Sequence, residues 1–251
     1  MRTILIKSIG IALILFGKKE VKGQEFIPKY EAGINLGTFI YQGDLTPQRV
    51  GSLKTPTIAF SIFASRIISP SFSLRTNLAL GKLKADESKY ASPAYRRERN
   101  FYFKTPVVEL SELVVWNLLG KNYENGKSGF SPYIMAGGGL SYLNIKRDWS
   151  RLNENYFLSD PAFFIGLNAD IVHDLPRLIA VIPVGGGMRY SISQKLAVSG
   201  EILYRFTFTD YLDGFSQSVN PDKNDHFYSL TVGLIYRLGA KNKLNCPTVP
   251  K

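Results

Sequence analysis

Apolar and polar residues alternate with a period of two along most of the chain. The segment 196–208 shows this best. One face collects Leu196, Val198, Gly200, Ile202, Tyr204, Phe206 and Phe208, and the other carries Glu201 and Arg205. A period of two is that of a β-strand, whose successive side chains point to opposite faces. The pattern predicts a long strand with one apolar, aromatic face and one face that carries both acidic and basic residues.

The same pattern recurs eight times, with turn residues between the segments. We predict strands at about 29–41, 57–66, 72–84, 106–119, 132–146, 182–192, 196–208 and 226–238. Tight turns near Pro70 and Ser193 alternate with long connections, the longest of which holds a short helix near Pro161–Val172. Short turns alternating with long loops are typical of outer-membrane barrels. The predicted fold is all-β: an eight-stranded antiparallel transmembrane β-barrel of OmpA-like size with long external loops.

One residue departs from this alternation. Glu112 falls on the apolar face of the fourth strand, between Leu110 and Val114. A charge is unfavourable on the lipid side of a barrel.

The first residues read as a secretory signal peptide, 1–23. Arg2 and Lys7 supply positive charge, Ile9–Phe16 is a short apolar core, and Val21 and Gly23 suit the cleavage site. The alternative interpretation is a retained anchor helix. It would need an apolar core of about 20 residues, and Ile9–Phe16 is much shorter. The barrel is then predicted over 24–239, followed by a short periplasmic tail, 240–251.

The net charge and the cysteine content indicate which partners and cross-links this chain can have. The net charge is +11, but the basic residues are scattered through turns and loops, so lipid headgroups are a better partner than nucleic acid. The only cysteine, Cys246, excludes an intramolecular disulfide. We expect an outer-membrane protein in contact with outer-membrane lipid.

Charged residues gather on the inward faces of the strands. They are Glu31, Arg75, Glu109, Arg189, Glu201, Arg205 and Arg237. An eight-stranded barrel is just wide enough for side chains to fill it, so these charges should pair. Glu201 is expected to pair with Arg75, Arg189 or Arg237, and Arg205 with Glu31 or Glu109. Polar packing of a narrow lumen is the favoured interpretation, and a gated pore or proton path is the alternative.

The chain offers little for catalysis. Its two histidines, His173 and His226, lie in or beside loops, and a pairing of His226 with Ser229 or Asp225 is the one enzyme-like arrangement left open. Two isolated histidines do not make a metal site. We therefore expect no enzyme activity, no cofactor and no metal.

The most specific local feature is TFTDYLDGFSQ, residues 207–217, which contains Asp210, Tyr211, Leu212 and Asp213. Tyr211 suits a membrane interface. The two carboxylates suit a turn cap, a contact with Arg147 or Arg151, or a site for a cation or partner.

This motif, together with EAGINLGTFIYQGDLTP, RNFYFKTPVVELS, SPYIMAGGGLSYLN and IPVGGGMRYSIS, resembles a family of small outer-membrane barrels of Bacteroidota. That family includes PorG, a component of the type IX secretion system. The resemblance covers roughly Tyr30–Gly239. It implies a scaffold or accessory barrel and, in the PorG case, contact with a periplasmic lipoprotein ring of the secretion machine. A general structural barrel or narrow pore is the alternative, and a barrel enzyme acting on lipid is a third hypothesis.

Overall fold

The computed structural model describes residues 26–122, 129–221 and 223–241. The predicted signal peptide and Cys246 in the predicted tail lie outside these residues. Eight long strands dominate: β1 (Phe26–Gln42), β2 (Thr57–Ile67), β3 (Phe72–Asp86), β4 (Tyr102–Asn117), β5 (Phe130–Leu143), β7 (Leu178–Ser191), β8 (Leu196–Thr207) and β9 (His226–Lys241). A three-residue strand, β6 (Lys146–Asp148), and short helices, α1 (Tyr95–Arg99), α2 (Glu154–Phe157) and α3 (Pro161–Val172), lie in the long loops.

The long strands close into a barrel. Each pairs antiparallel with the next long strand along the chain, and β9 returns to pair with β1 from Phe26↔Lys241 to Gln42↔His226. Closure removes the free edges that an open sheet would leave. The predicted eight-stranded antiparallel barrel is confirmed.

The two ends of the barrel differ. One end, the turn end, carries the start of β1, the end of β9, the turns 68–71 and 192–195, and the points where β4 ends and β5 begins. The other, the loop end, carries the connections 43–56, 87–101, 144–177 and 208–225. The predicted helix near Pro161–Val172 is confirmed as α3.

The outward face is apolar and exposed, whereas polar residues are buried inside. Outward residues such as Leu36, Leu110, Ile202 and Val232 are more than half exposed, while Glu109 on the inward face is fully buried. This is the reverse of a soluble barrel, whose apolar side chains are inside. No helix among the described residues is long and apolar enough to span a membrane.

The connection between β3 and β4 is shorter than the alternation predicts. The polar connection predicted at about 85–104 is partly strand, because β3 continues to Asp86 and β4 begins at Tyr102. There β4 also pairs with β6, as in Phe103↔Arg147. These strand ends form a sheet beyond the apolar band. There the outward residues are polar, as at Lys104, and the inward residues are apolar, as at Phe103, so the alternation is inverted.

Candidate functional site

At the turn end of the lumen, one carboxylate holds two arginines. Arg189 donates through both terminal nitrogens to the two oxygens of Glu31, each at 2.9 Å. Arg237 Nε donates to Glu31 Oε1 at the longer distance of 3.3 Å, and its Nη2 donates to Ser191. The parallel geometry of the Arg189 pair makes it the stronger of the two.

In the middle of the lumen, Glu201 collects three donors. Arg75 Nη1 donates at 2.8 Å, the Tyr133 hydroxyl at 2.5 Å and the Asn35 amide at 3.2 Å. Of the three arginines predicted as partners for Glu201, Arg75 is the one that binds it. The Arg75 guanidinium also lies over the Phe63 ring, 4.0 Å from its centroid.

Nearer the loop end, Arg205 Nε donates to Glu109 Oε2 at 3.1 Å. Its Nη1 donates to Ser229 Oγ at 2.6 Å and to the Leu203 carbonyl at 2.7 Å. A guanidinium has five N–H donors, and all three nitrogens of Arg205 donate to acceptors here, which offsets part of the desolvation cost of the pair.

These layers fill the barrel. The seven predicted lumen residues are all buried, and a cavity of about 10 Å³ remains between Asn35, Arg75, Glu201 and Arg205, room for about one water molecule. Four arginines face three glutamates, so this set carries one excess positive charge. The geometry suits a rigid plug of ion pairs.

The loop end is closed by an apolar cap, to which all four long loops contribute. Its members are Leu45, Phe101, Phe157, Phe163, Leu167, Leu212 and Phe215. The rings stack closely, with centroids 4.2 Å apart for Phe101 and Phe215 and 4.3 Å apart for Phe157 and Phe163. Because this cap lies over the lumen, the loops are folded inward rather than extended into solvent.

The TDYLDGF segment belongs to this cap. Leu212 is fully buried, and its carbonyl accepts a hydrogen bond from the lumen-facing Thr105 at 2.8 Å. Asp213 is also fully buried and accepts from the Phe215 amide at 2.8 Å. Tyr211 lies against His173, with parallel rings 4.0 Å apart. The motif therefore holds the loop down over the barrel mouth.

Tyr41, at the loop end of β1, joins two aspartates. Its hydroxyl oxygen lies 2.6 Å from Asp213 Oδ2 and 2.6 Å from Asp225 Oδ1, and both aspartates are fully buried. A hydroxyl carries one proton, so the second short contact needs a proton on a carboxyl group. Burial raises the pKa of Asp213 and of Asp225 well above the usual range, and the charge of Asp213 raises the pKa of Asp225 further. One of the two is held as a carboxylic acid.

Two more aspartates approach this pair. Burial raises the pKa of Asp210 to about 7 and the pKa of Asp44 to about 6. Asp44 is partly compensated by Arg99 and Arg96, whose charges lower its pKa, whereas Asp210 is raised further by the charges of Asp44 and Asp170. The loop end therefore contains groups that titrate near neutral pH.

The residue that ties α3 to the motif loop was not singled out from the sequence. Asp170 accepts from the backbone amides of Ser216, Gln217 and Ser218 at 2.9–3.1 Å and from the Ser218 hydroxyl at 2.6 Å. Gly166 permits the close approach, since a side chain there would meet the Gln217 backbone. An aspartate near the end of an otherwise apolar helix was the available signal.

A second buried charge cluster in the loops was also missed. Glu87 is fully buried and is bound by Arg96 at 2.9 Å and by Arg99 at 2.9 Å through Nε. The signal available in the sequence was the run of arginines in α1, a segment expected to be part of a polar loop.

Other predicted contacts do not form. Ser229 faces the lumen and binds Arg205, while His226 lies among Tyr204 and Phe206 on the outward face, so these two do not make a catalytic pair. Asp225 is engaged with Tyr41.

The predicted contact of Asp210 and Asp213 with Arg147 or Arg151 does not form, and the two arginines have other partners. Arg147 donates to the carbonyls of Gly214 and Ile171, and Arg151 lies 3.7 Å from Asp86. The loop turns its carboxylates inward, away from both arginines. Within the described ranges, no group of three or more His, Cys, Asp or Glu side chains is arranged to hold a metal ion.

Comparisons with solved structures found small barrels. Neisserial surface protein A has 14% identity, with 83% of this chain and 97% of that chain covered and a TM-score of 0.46. Ail, the attachment invasion locus protein of Yersinia pestis, has 9% identity, coverage of 84% and 99%, and a TM-score of 0.46. The outer membrane protein OprG from Pseudomonas aeruginosa has 10% identity, coverage of 87% and 100%, and a TM-score of 0.43.

The comparison with curated proteins found no match. One family model matches residues 8–238, described as a domain of unknown function, DUF6089. That match spans most of the chain, from before β1 to Leu238 in β9. The chain therefore belongs to the DUF6089 family.

Proposed function

We propose that this protein is a sealed, non-enzymatic barrel of the bacterial outer membrane, acting as a scaffold or accessory component associated with a type IX secretion system. The observation that carries the proposal is the double closure of the barrel. Ion pairs fill the lumen, and the TDYLDGF loop closes the loop end within an apolar cap. When the lumen is closed, the outer wall and the two ends of the barrel are the surfaces that can interact with other molecules.

Membrane location is supported by the apolar exterior and by aromatic residues at the ends of the strands. At the turn end, Phe72 stacks on Trp116 and Phe130 lies against Tyr190, as in the girdles of outer-membrane barrels. In SDS without boiling, the folded barrel should migrate differently from the heated protein. An identical mobility of the unheated and the heated protein would contradict a folded barrel.

The association with secretion is supported by the sequence resemblance, in which the TDYLDGF and GDL segments are prominent. The turn end would face the periplasm. A photo-crosslinking residue at Gln194, in the exposed turn between β7 and β8, should yield adducts with periplasmic lipoproteins of the secretion machine. The matched control is the same residue at Val50, which is 57% exposed in a loop-end connection. Equal adducts at both positions, or none containing secretion components, would contradict this part of the proposal.

The pore alternative makes the opposite prediction for the lumen. In planar bilayers we expect no stepwise conductance from the native protein, because Arg205 and Glu109 bridge the lumen below the cap. Arg205→Ala tests this: a native conductance that changes with the substitution would favour the pore. For the enzyme alternative, a deletion strain with altered lipid composition would be the supporting result.

A further inference from the structure

Glu112 is a carboxylate on the outside of the barrel. It lies on β4 and faces outward between Leu110 and Val114, which are 57% and 53% exposed. The inward residues on either side of it, Ser111 and Leu113, are buried. Its orientation therefore follows from the strand alternation.

The position of Glu112 is within the apolar band. Trp116 of the turn-end girdle lies four residues further along β4, about 13 Å along the strand. With the usual strand tilt of about 40°, this places Glu112 about 10 Å above the girdle. Toward the loop end, the outward positions Leu110 and Val108 continue the apolar surface.

The neighbours of Glu112 leave it open to the side. On β3 its register partner is Thr76, whose hydroxyl donates to Glu112 Oε2 at 2.7 Å. On β5 its partner is Gly138, beside which there is open space where a side chain would stand. A small recess thus leads to the carboxylate from the outside of the barrel.

The Glu112 carboxylate differs from the lumen glutamates in its ion-pair partners. Glu31, Glu109 and Glu201 each bind at least one arginine. Among the described residues, none of the ion pairs includes Glu112. An ionisable residue facing hydrocarbon is unfavourable, and where it occurs it marks a site of interaction.

We propose that Glu112, Thr76 and Gly138 form a docking point for another membrane-embedded protein that presents an arginine or lysine within the bilayer. The proposal rests on the membrane location proposed above. Charge complementarity selects the partner, since the cation would neutralise the carboxylate and reach it through the recess at Gly138. A two-fold dimer through this face would instead set one Glu112 against another, which repels. The amine of a lipid headgroup would have to enter the hydrocarbon by about 10 Å.

The test places a photo-crosslinking residue at Leu140, the next outward position on β5, in the full chain in native outer membranes, which leaves the recess at Gly138 open. The control position is Leu234 on β9, an outward residue on the opposite side of the barrel. We expect an adduct with one membrane protein at position 140 and none at 234. Glu112→Leu should lower the yield about tenfold, the scale of one polar contact in a membrane. Glu112→Gln should retain part of it.

A charge swap identifies the contact itself. Glu112→Lys should abolish the adduct, and changing the partner's arginine or lysine to glutamate should restore it. The same Glu112→Leu protein, reconstituted alone in lipid vesicles, should be no less stable than the native protein, because an apolar residue replaces a carboxylate facing lipid. Loss of the adduct is then not a folding defect.

Four results would overturn the proposal: no adduct at position 140, an adduct unaffected by Glu112→Leu, an adduct between two copies of this chain, or lipid as the only species captured. The outcome is separable from the proposed secretion role. A partner unrelated to secretion that depends on Glu112 would support docking and contradict that role, while normal heat-dependent mobility in SDS would show that the barrel itself is intact.

Discussion

Removing the single carboxylate at the turn end of the lumen is the sharpest test of the ion-pair plug. Glu31 balances both Arg189 and Arg237, and all three are at most 3% exposed. Glu31→Gln keeps the size of the side chain but leaves two guanidinium groups without a carboxylate. Removing one partner of a buried pair costs about 3–5 kcal/mol, and we expect about 4 kcal/mol for this substitution.

The two arginines should not contribute equally. Arg189→Leu removes both 2.9 Å bonds and leaves Glu31 with one contact at 3.3 Å, so we expect a loss of about 2–3 kcal/mol. Arg237→Leu leaves the two bonds between Arg189 and Glu31 in place and removes the excess positive charge, so the loss should be about 1 kcal/mol or less. Combining Glu31→Gln with Arg237→Leu should be less damaging than Glu31→Gln alone.

These values are measured as free energies of unfolding in lipid vesicles, from guanidinium titrations followed by the fluorescence of Trp116 and Trp149. Heat-dependent mobility in SDS reports in parallel whether the barrel is closed. The reasoning fails if Arg237→Leu destabilises the protein as much as Glu31→Gln, or if the double variant shows no recovery. Either result would mean that packing volume, and not charge balance, sets the energy of this layer.

Three further predictions concern the loop end. Because the folded-state pKa values of Asp44 and Asp210 are raised to about 6 and about 7, the stability they contribute is present below about pH 4 and is lost as pH rises through those values. Proteolysis of the loops should therefore be faster at about pH 8 than at about pH 5, and Asp210→Asn should reduce the difference; equal rates in the native protein would refute this. Phe215→Ala should destabilise the cap by about 3–5 kcal/mol and expose the 208–225 loop to protease, with the barrel strands unaffected. Asp170→Ala should release the same loop, since three backbone amides lose their acceptor, and hydrogen exchange at Ser218 should rise; unchanged exchange would show that the apolar cap alone holds it.

The barrel could be predicted from the sequence because each long strand exposes its two faces to different surroundings. Residues that face lipid are apolar, whereas residues that face the crowded lumen are mostly polar. Successive residues therefore alternate strongly, as in Ile202, Leu203, Tyr204 and Arg205. The same rule placed all seven lumen charges. It failed at residues 85–86 and 102–104, where the sheet extends beyond the apolar band, so that the outward face is polar and the inward face, with Ala85 and Phe103, is apolar.

The pairing of charges and the loop end could not be predicted in the same way. Glu109 and Arg205 meet across the barrel although they are 96 positions apart, and only the register of every intervening strand brings them together. Phe101, Phe163 and Phe215 are aromatic residues in separate loops, with no periodicity to show that they stack. Asp213 was expected to cap a turn, contact Arg147 or Arg151, or bind a cation or partner, because nothing local indicates that its loop folds inward.

The pairing of β1 with β9 has a consequence for how the chain must be made. The first strand finds one of its two neighbours only when β9 has been synthesised, so neither edge of the sheet can be closed before then. Until then both edges carry unpaired amides and carbonyls beside an apolar surface, a combination that favours aggregation. The polypeptide must therefore be kept from pairing with itself or its neighbours until β9 is available. A deletion confined to 226–241 should accordingly leave no shorter stable barrel, and the product should be degraded.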